Sequence, residues 1–163
     1  MKLIPLTKGQ FAKVSDHQFE YYSQWKWIAH FDPKMQGYYA VRTDYSNGKV
    51  QIAMHREIAQ TPEKMKCDHI DHDTLNNQDE NLRNCTNSQN QWNGKLRIDN
   101  KSGYKGVCYR KKEKKWSAQI HKNGKQVFFK RYKNPELAAQ AYDEKARELF
   151  GEFAVLNFPD RLS

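Results

Sequence analysis

Short apolar segments separated by polar residues occur through the first sixty residues and predict short β-strands rather than long helices. Four segments, 10–14, 26–30, 38–42 and 50–54, are rich in aromatic and β-branched residues. The dipeptide Asn47-Gly48, between the last two segments, is a two-residue hairpin signal. Short helices are predicted over 15–23 and 55–59, the second ending before Pro62. A β-rich N-terminal region is therefore expected.

A strongly polar stretch follows from residue 66 to residue 92, and its few apolar positions predict a strand–loop–strand–helix order. Residues 66–70 and 82–85 are the predicted strands, 71–80 is the polar loop, and a helix begins near residue 88. Thr86 and Gln89 have the spacing of a capping box, which places the start of the helix shortly before Asn90.

Beyond residue 101 the pattern predicts three strands and one helix. Turn signals at 112–114 and at Asn123-Gly124 separate the strands. Asn134 is a good N-cap, Pro135 suits the first helical position, and Gly151 lies just past the end of the helix. Strict alternation turns one set of strand residues toward the helix: Val107, Trp116, Ala118, Ile120, Val127 and Phe129. The opposite face then carries Cys108, Arg110, Ser117, Gln119, His121, Gln126, Phe128 and Lys130.

Charge is distributed unevenly along the chain. The 163 residues have a net charge of +9. Residues 1–100 contain 13 Lys and Arg against 12 Asp and Glu, whereas residues 101–133 contain 12 against a single acidic residue, Glu113. Positive charge concentrated in one short region and interleaved with aromatic residues indicates a surface for a polyanion such as nucleic acid.

Composition excludes several other classes. The chain is 37% apolar, no segment approaches the ~20 apolar residues of a membrane helix, and the N-terminus lacks an apolar run of signal-peptide length. An intracellular, cytoplasmic protein without a membrane partner is therefore expected. Three cysteines without C-x-x-C spacing make a disulfide framework improbable. A mixed zinc site remains an alternative, with these ligands: Cys67, His69, His72 and Cys85.

The stretch from Cys67 to Asn93 contains the best candidate for chemistry. Asp68 and His69 are adjacent, and amide side chains follow at Asn81 and Asn90. Carboxylate and amide oxygens suit Mg²⁺ or Mn²⁺, which take phosphate oxygens as further ligands. An imidazole can accept a proton from water near neutral pH. Together these groups are suited to hydrolysing a phosphodiester.

The run D-H-I-D, then L-N-N and N-L-R, then S-Q-N, resembles the HNH (ββα-metal) nucleases, especially the homing endonucleases of phages and mobile introns. The resemblance implies that Asp68 and Asn90 hold one divalent metal, that His69 activates water, and that Asn81 fixes the His69 ring. M-H-R at 54–56 resembles the stretch before that core, and His55 is expected to be structural or to contact phosphate rather than to do chemistry.

The region 102–160 resembles the AP2 DNA-binding domain through G-Y-K-G-V at 103–107, W-S-A-Q-I at 116–120, A-A-Q-A-Y-D at 138–143 and L-N-F-P at 156–159. The resemblance implies a three-stranded antiparallel sheet lying in the major groove of DNA with a helix behind it. Arg110 is expected to read guanine and Gln119 adenine. The full set of expected DNA contacts is Lys105, Arg110, Lys112, Gln119, His121, Phe128 and Lys130.

The sequence thus predicts an α+β protein with an HNH domain over 1–94, a linker over 95–101 and an AP2-like domain over 102–160. The expected activity is cleavage of double-stranded DNA with one Mg²⁺ or Mn²⁺ and no small-molecule cofactor, by a monomer or weak dimer encoded by a phage or mobile element. The alternative is an AP2-type regulator whose HNH region is a scaffold that does not cut.

Overall fold

The computed structural model describes residues 1–46, 48–96 and 99–159, and the α+β class is confirmed. The chain folds into two compact units, Met1–Thr86 and Asn87–Ser163. The units therefore divide earlier in the chain than the linker predicted at 95–101. Asn47 of the predicted hairpin turn, and Arg97 and Ile98 of the predicted linker, lie outside the described residues.

The first unit contains seven strands and two short helices in its described residues. They are β1 (Lys2–Pro5), β2 (Phe11–Val14), α1 (Phe19–Tyr22), β3 (Ile28–Asp32), β4 (Gly37–Asp44), β5 (Val50–Ala53), α2 (Met54–Ile58), β6 (Lys66–His69) and β7 (Leu82–Cys85). β1 and β2 form an antiparallel hairpin, β3–β4–β5 form an antiparallel sheet, and β6 pairs with β7. The strand β1 was not among the predicted elements.

The core of the first unit joins the N-terminal hairpin to the β3–β4–β5 sheet. Its fully buried members include Ile4 of β1, Val14 of β2 and Met54 of α2, which pack with Trp27. The indole nitrogen of Trp27 donates to the carbonyl of Tyr22 at 2.8 Å, which satisfies the polar atom of that large buried side chain. α2 begins at the end of β5, so this core fixes the position of the residues that follow Met54.

The second unit contains the predicted sheet and helix. Its elements are α3 (Asn87–Trp92), β8 (Val107–Arg110), β9 (Lys115–Lys122), β10 (Lys125–Tyr132) and α4 (Pro135–Phe150). The strand order is β10–β9–β8, antiparallel throughout. Asn134 caps α4 as predicted, because its Oδ1 accepts from the Leu137 amide at 2.9 Å.

Small residues on α4 allow it to lie close against the sheet. Ala138, Ala139 and Ala146 are fully buried with Val107, Ala118 and Ile120, and Tyr142 and Phe150 complete the cluster. α4 also approaches Gly106, which lies just before β8 and whose φ of +72° is in the left-handed region that favours glycine. A Cβ built there would lie 2.1 Å from Cδ2 of Tyr142, so only glycine fits.

The run L-N-F-P closes the second unit through a buried carboxylate. Asp143 of α4 is 2% exposed and accepts from the backbone amides of Asn157 and Phe158, each at 2.8 Å. The Asn157 side chain in turn accepts from the Lys105 amide at 2.7 Å and donates to the Lys105 carbonyl at 3.2 Å. The C-terminal segment is thereby tied both to α4 and to the residues that precede β8.

Within 1–46, 48–96 and 99–159, no helix combines the length and the hydrophobicity that a membrane span requires.

Candidate active site and nucleic-acid interface

Asp68 and His69 are adjacent on β6, which is paired with β7. Both are buried, at 7% and 6% exposure. Asp68 is paired across the strands with Arg83, whose Nε donates to Oδ2 of Asp68 at 3.0 Å and whose Nη2 lies 2.9 Å from the same oxygen. A buried carboxylate held by a largely buried guanidinium has a fixed orientation, so this hairpin is a rigid support for the two side chains.

The His69 ring is oriented by Asn77, a residue that the sequence did not single out. The Asn77 side chain is fully buried, and its Oδ1 lies 3.3 Å from Nε2 of His69. Its Nδ2 donates to the Leu75 carbonyl at 3.3 Å, which leaves the oxygen to face the ring. An acceptor at Nε2 favours the tautomer with its proton on Nε2, so Nδ1 is the nitrogen able to accept a proton.

The electrostatic environment keeps the His69 ring neutral. Burial lowers the pKa of His69 below its ordinary value of 6.5, although the Asn77 hydrogen bond and the nearby carboxylates of Asp71 and Asp68 oppose this. A neutral imidazole is the form that a general base requires. The site is therefore ready to accept a proton at neutral pH.

Asn81 braces the loop that follows His69. Its Oδ1 accepts from the Asp71 amide at 3.0 Å, and its Nδ2 donates to the Asp71 carboxylate at 2.9 Å and to the Asn76 carbonyl at 2.8 Å. Its own carbonyl accepts from the Ile70 amide at 2.9 Å. These contacts fix the backbone directly after β6, while the role expected for Asn81 at the ring itself stays a prediction.

The same loop is anchored to the N-terminal hairpin. The Lys13 amide of β2 donates to the Leu75 carbonyl, and the Asn77 amide donates to the Lys13 carbonyl, both at 2.8 Å. The Lys13 ammonium also lies 2.8 Å from the Asp73 carboxylate. Because Asn77 is held in this way, the orientation of the His69 ring depends on a strand more than fifty residues earlier in the chain.

The two predicted metal ligands, Asp68 and Asn90, stay a prediction. Asp68 lies on β6 of the first unit, and Asn90 lies on α3 of the second. Among the described residues, no group of three or more His, Cys, Asp or Glu is placed to hold a metal ion. The alternative zinc site is therefore wrong, and its members have other environments. Cys67 donates to the His55 carbonyl at 3.4 Å, and burial raises the pKa of the Cys67 thiol to about 11.

On the sheet of the second unit, the alternation predicted for β8 and β9 is correct. Val107, Ala118 and Ile120 face α4, and Arg110, Gln119 and His121 project from the other face. We call this second surface the outer face.

In β10 the predicted alternation fails at a bulge between Gln126 and Phe128. Phe128 pairs with Ile120 and packs against the α4 core, and Phe129 pairs with Gln119. The expectation that Phe128 and Lys130 lie on the outer face is therefore wrong, because the extra residue shifts the pleat by one position. Phe129 and Arg131 take their places.

The outer face centres on Arg110. Its Nε donates to the Ser117 hydroxyl at 3.1 Å, and its Nη2 donates to Oε1 of Gln119 at 2.9 Å. Its guanidinium carbon lies 5.5 Å from the centroid of the Phe129 ring, and that of Arg131 lies 4.9 Å from the same ring. Two cationic side chains are thus held beside one aromatic ring, and Arg131 is also ion-paired with Glu113.

Lys105 was expected to contact phosphate, but its ammonium group is directed to carbonyl groups of its own unit. Its ammonium donates to the backbone carbonyls of Trp92 and Gly94, at 2.7 and 2.6 Å. Burial lowers the pKa of Lys105 to about 8. This side chain therefore secures the end of α3 within its own unit. Lys112 and His121, by contrast, are exposed.

Known families match both halves of the chain. Residues 53–92 match the HNH endonuclease family, and residues 102–152 match the AP2 domain family. A protein of Acanthamoeba polyphaga mimivirus named as an HNH endonuclease is 36% identical over 156 residues, covering 92% of this chain and 76% of the relative. Protein 3.8 of Escherichia phage T7 is 37% identical over 93 residues, covering 57% of this chain and 76% of that protein.

A plant relative matches the second half of the chain. An ethylene-responsive transcription factor of Arabidopsis thaliana is 40% identical over 62 residues, covering 37% of this chain and 34% of the factor. No solved structure matches the chain. The extent of the viral match, together with the two family matches, shows that the chain belongs to the HNH endonuclease family and contains an AP2 DNA-binding domain.

Proposed function

We propose that the protein cuts duplex DNA by a one-metal HNH mechanism and that its AP2 domain positions it on the DNA. The observation that carries this proposal is the buried His69 ring, held through Nε2 by the fully buried Asn77, directly beside Asp68. A base and a metal-binding carboxylate on one rigid strand are the parts that phosphodiester hydrolysis needs.

In this mechanism His69 accepts the proton of the attacking water at Nδ1. Asn77 keeps the other ring nitrogen protonated, and the bonds from Asn81 to Asp71 keep the following loop from moving the ring. General-base catalysis by such a group is typically worth ~10²–10⁴-fold in rate.

The donor set fits the predicted metal. Asp68 offers a carboxylate, and Asn90 offers a carboxamide, so both ligands are oxygen atoms and neither is a thiolate. Such donors suit Mg²⁺ or Mn²⁺ rather than zinc. The metal, when bound, supplies charge stabilisation for the phosphate and for the departing oxygen. Arg83 fixes the orientation of the Asp68 carboxylate through Oδ2.

We further propose that the outer face of the AP2 sheet enters the major groove, with Arg110 reading guanine. In support, Gln119 and Ser117 already orient the Arg110 guanidinium, which points to Gln119 as a positioning residue in place of the adenine reader expected from the sequence. Lys112 is exposed and remains a candidate for a phosphate contact. A monomer with one centre would most simply nick one strand, whereas a dimer could cut both.

A plasmid assay tests this function. The parent protein, with Mg²⁺ or Mn²⁺, is expected to convert supercoiled plasmid to the nicked or linear form, and chelation of the metal should stop the reaction. His69→Ala should slow cutting by ~10²–10⁴-fold because water loses its base. His30→Ala is the matched control, since His30 is an exposed imidazole of the same unit.

Binding measured on the same proteins separates the enzyme from a regulator. Fluorescence anisotropy with labelled duplex should show equal affinity for the parent, His69→Ala and His30→Ala. Duplex binding by the parent without metal-dependent cutting would favour a regulator with a non-cleaving scaffold. Equal cutting by His69→Ala and the parent would refute the assignment of the base.

A further inference from the structure

Three rings from different elements of the first unit meet at the candidate active site. Tyr39 comes from β4, His55 from α2 and His69 from β6. The centroids of His55 and His69 are 5.1 Å apart, and the Tyr39 ring lies 5.2 Å from His55 and 6.1 Å from His69. A second imidazole is therefore in contact with the proposed base.

The His55 side chain has an unsatisfied polar atom. Its Nδ1 is buried and has no hydrogen-bond partner among the described residues. The backbone of His55 is well satisfied, because its carbonyl accepts from the Ala59 amide at 3.0 Å and from the Cys67 thiol at 3.4 Å. The atom without a hydrogen-bond partner therefore belongs to the His55 ring and not to its backbone. A phenyl ring would pack against Tyr39 and His69 without an unsatisfied atom, so packing alone does not explain an imidazole here.

The buried nitrogen indicates the tautomer of the ring. An orphaned buried N–H is rarer than an orphaned acceptor, so the proton of the neutral ring is expected on Nε2 and the lone pair on Nδ1. Burial lowers the pKa of His55 to about 3, with smaller contributions from His69 and Arg56, so the ring stays neutral at physiological pH. A neutral His55 is a hydrogen-bond donor through Nε2 and does not place a second positive charge beside the base.

We propose that Nε2–H of His55 donates a hydrogen bond to a non-bridging oxygen of the DNA phosphodiester that is cut. The inference rests on the proposed function, since it places His55 on the same phosphate that the water activated by His69 attacks. With the two ring centroids 5.1 Å apart, a phosphate that approaches His69 also comes within reach of His55. His55 is thus a further catalytic residue, whose contact holds the phosphate in line with the water.

Two substitutions separate this contact from packing. His55→Phe keeps an aromatic ring and removes both nitrogens. It should preserve or raise the melting temperature, because the unsatisfied atom is gone, and it should slow plasmid cutting roughly 10- to 100-fold, the usual effect of losing a hydrogen bond to a charged group. His55→Gln keeps a side-chain N–H donor and should retain more activity than His55→Phe. His30→Phe is the control for adding a phenyl group to the same unit.

A spectroscopic readout keeps the inference independent of cleavage. In protein with ¹⁵N-labelled histidines, a short duplex oligonucleotide added with Ca²⁺ in place of Mg²⁺ should shift the His55 Nε2 resonance and leave that of the exposed His30 unmoved. If the parent protein does not cut DNA but the His55 shift is present, the proposed function is refuted and the phosphate contact is supported. Equal cutting by His55→Phe and the parent, or a His55 Nε2 resonance unchanged by bound duplex, overturns the contact.

Discussion

Replacing Gly106 with alanine should destabilise the AP2 domain far more than the same change at Gly124. Both glycines have almost the same backbone, with φ of +72° and +74°. An alanine in that conformation costs ~1–2 kcal/mol at either position. At Gly106 the new methyl group would also lie 2.1, 2.2 and 2.9 Å from three ring carbons of Tyr142, whereas at Gly124 it would meet nothing within 4 Å.

The difference between the two variants measures the clash with Tyr142. Forcing an extra methyl group into a packed core costs ~1–3 kcal/mol, so Gly106→Ala should lose ~2–5 kcal/mol in total and Gly124→Ala only the backbone share. The assay is hydrogen exchange of the β8–β10 amides followed by mass spectrometry in increasing denaturant, which reports on this unit separately from the first. Equal losses in the two variants would refute the reasoning that contact between the strand and α4 requires a glycine at 106.

Three further outcomes follow from the side chains described above. Lys105→Met should lower the stability of the second unit, as measured by hydrogen exchange, and leave the salt dependence of DNA binding unchanged. Lys112→Ala should reduce the log–log salt slope by ~0.9 if Lys112 neutralises one phosphate. Anisotropy titrations at several salt concentrations measure the salt slope of each variant. Arg110→Ala should lower the ratio of specific to random-sequence affinity in competition binding, and an unchanged ratio would remove Arg110 from base reading. Because the folded pKa of His55 lies below its ordinary 6.5, the unfolded chain binds more protons between pH 6.5 and about 3. The first unit should therefore lose stability as the pH falls through that window, and thermal melts of His55→Phe should show a smaller loss.

The sequence identified the strands and the helix of the AP2 domain because each carries a strong local signal. Asn134 and Pro135 mark the start of α4, and the alternation in β9 is regular. The bulge at Val127 could not be found in this way, since an extra residue in one strand is defined only by its pairing with the neighbouring strand. β1 was missed because a four-residue strand ending in Pro5 has little periodicity of its own.

At the candidate active site, residue types could be predicted but partners could not. The run after His69 contains several amides, and any of them is chemically able to contact the ring. Asn77 does so because Lys13, on a distant strand, fixes the backbone on both sides of Asn76. Lys105 shows the same limit, since its position in a basic region indicated a surface role, while the carbonyls at the end of α3 draw it inward.

The bulge at Val127 determines how a change in the length of β10 would alter the outer face. Downstream of it, the outer face carries Phe129 and Arg131, and Lys130 between them faces α4. Deleting Val127 would therefore keep Phe129 and Arg131 on this surface, whereas straightening the strand with Val127 retained would pair Val127 with Ile120 and turn Phe128 and Lys130 outward. A one-codon deletion at this position is thus expected to preserve the outward residues, and relatives that lack the extra residue should be aligned with a gap here.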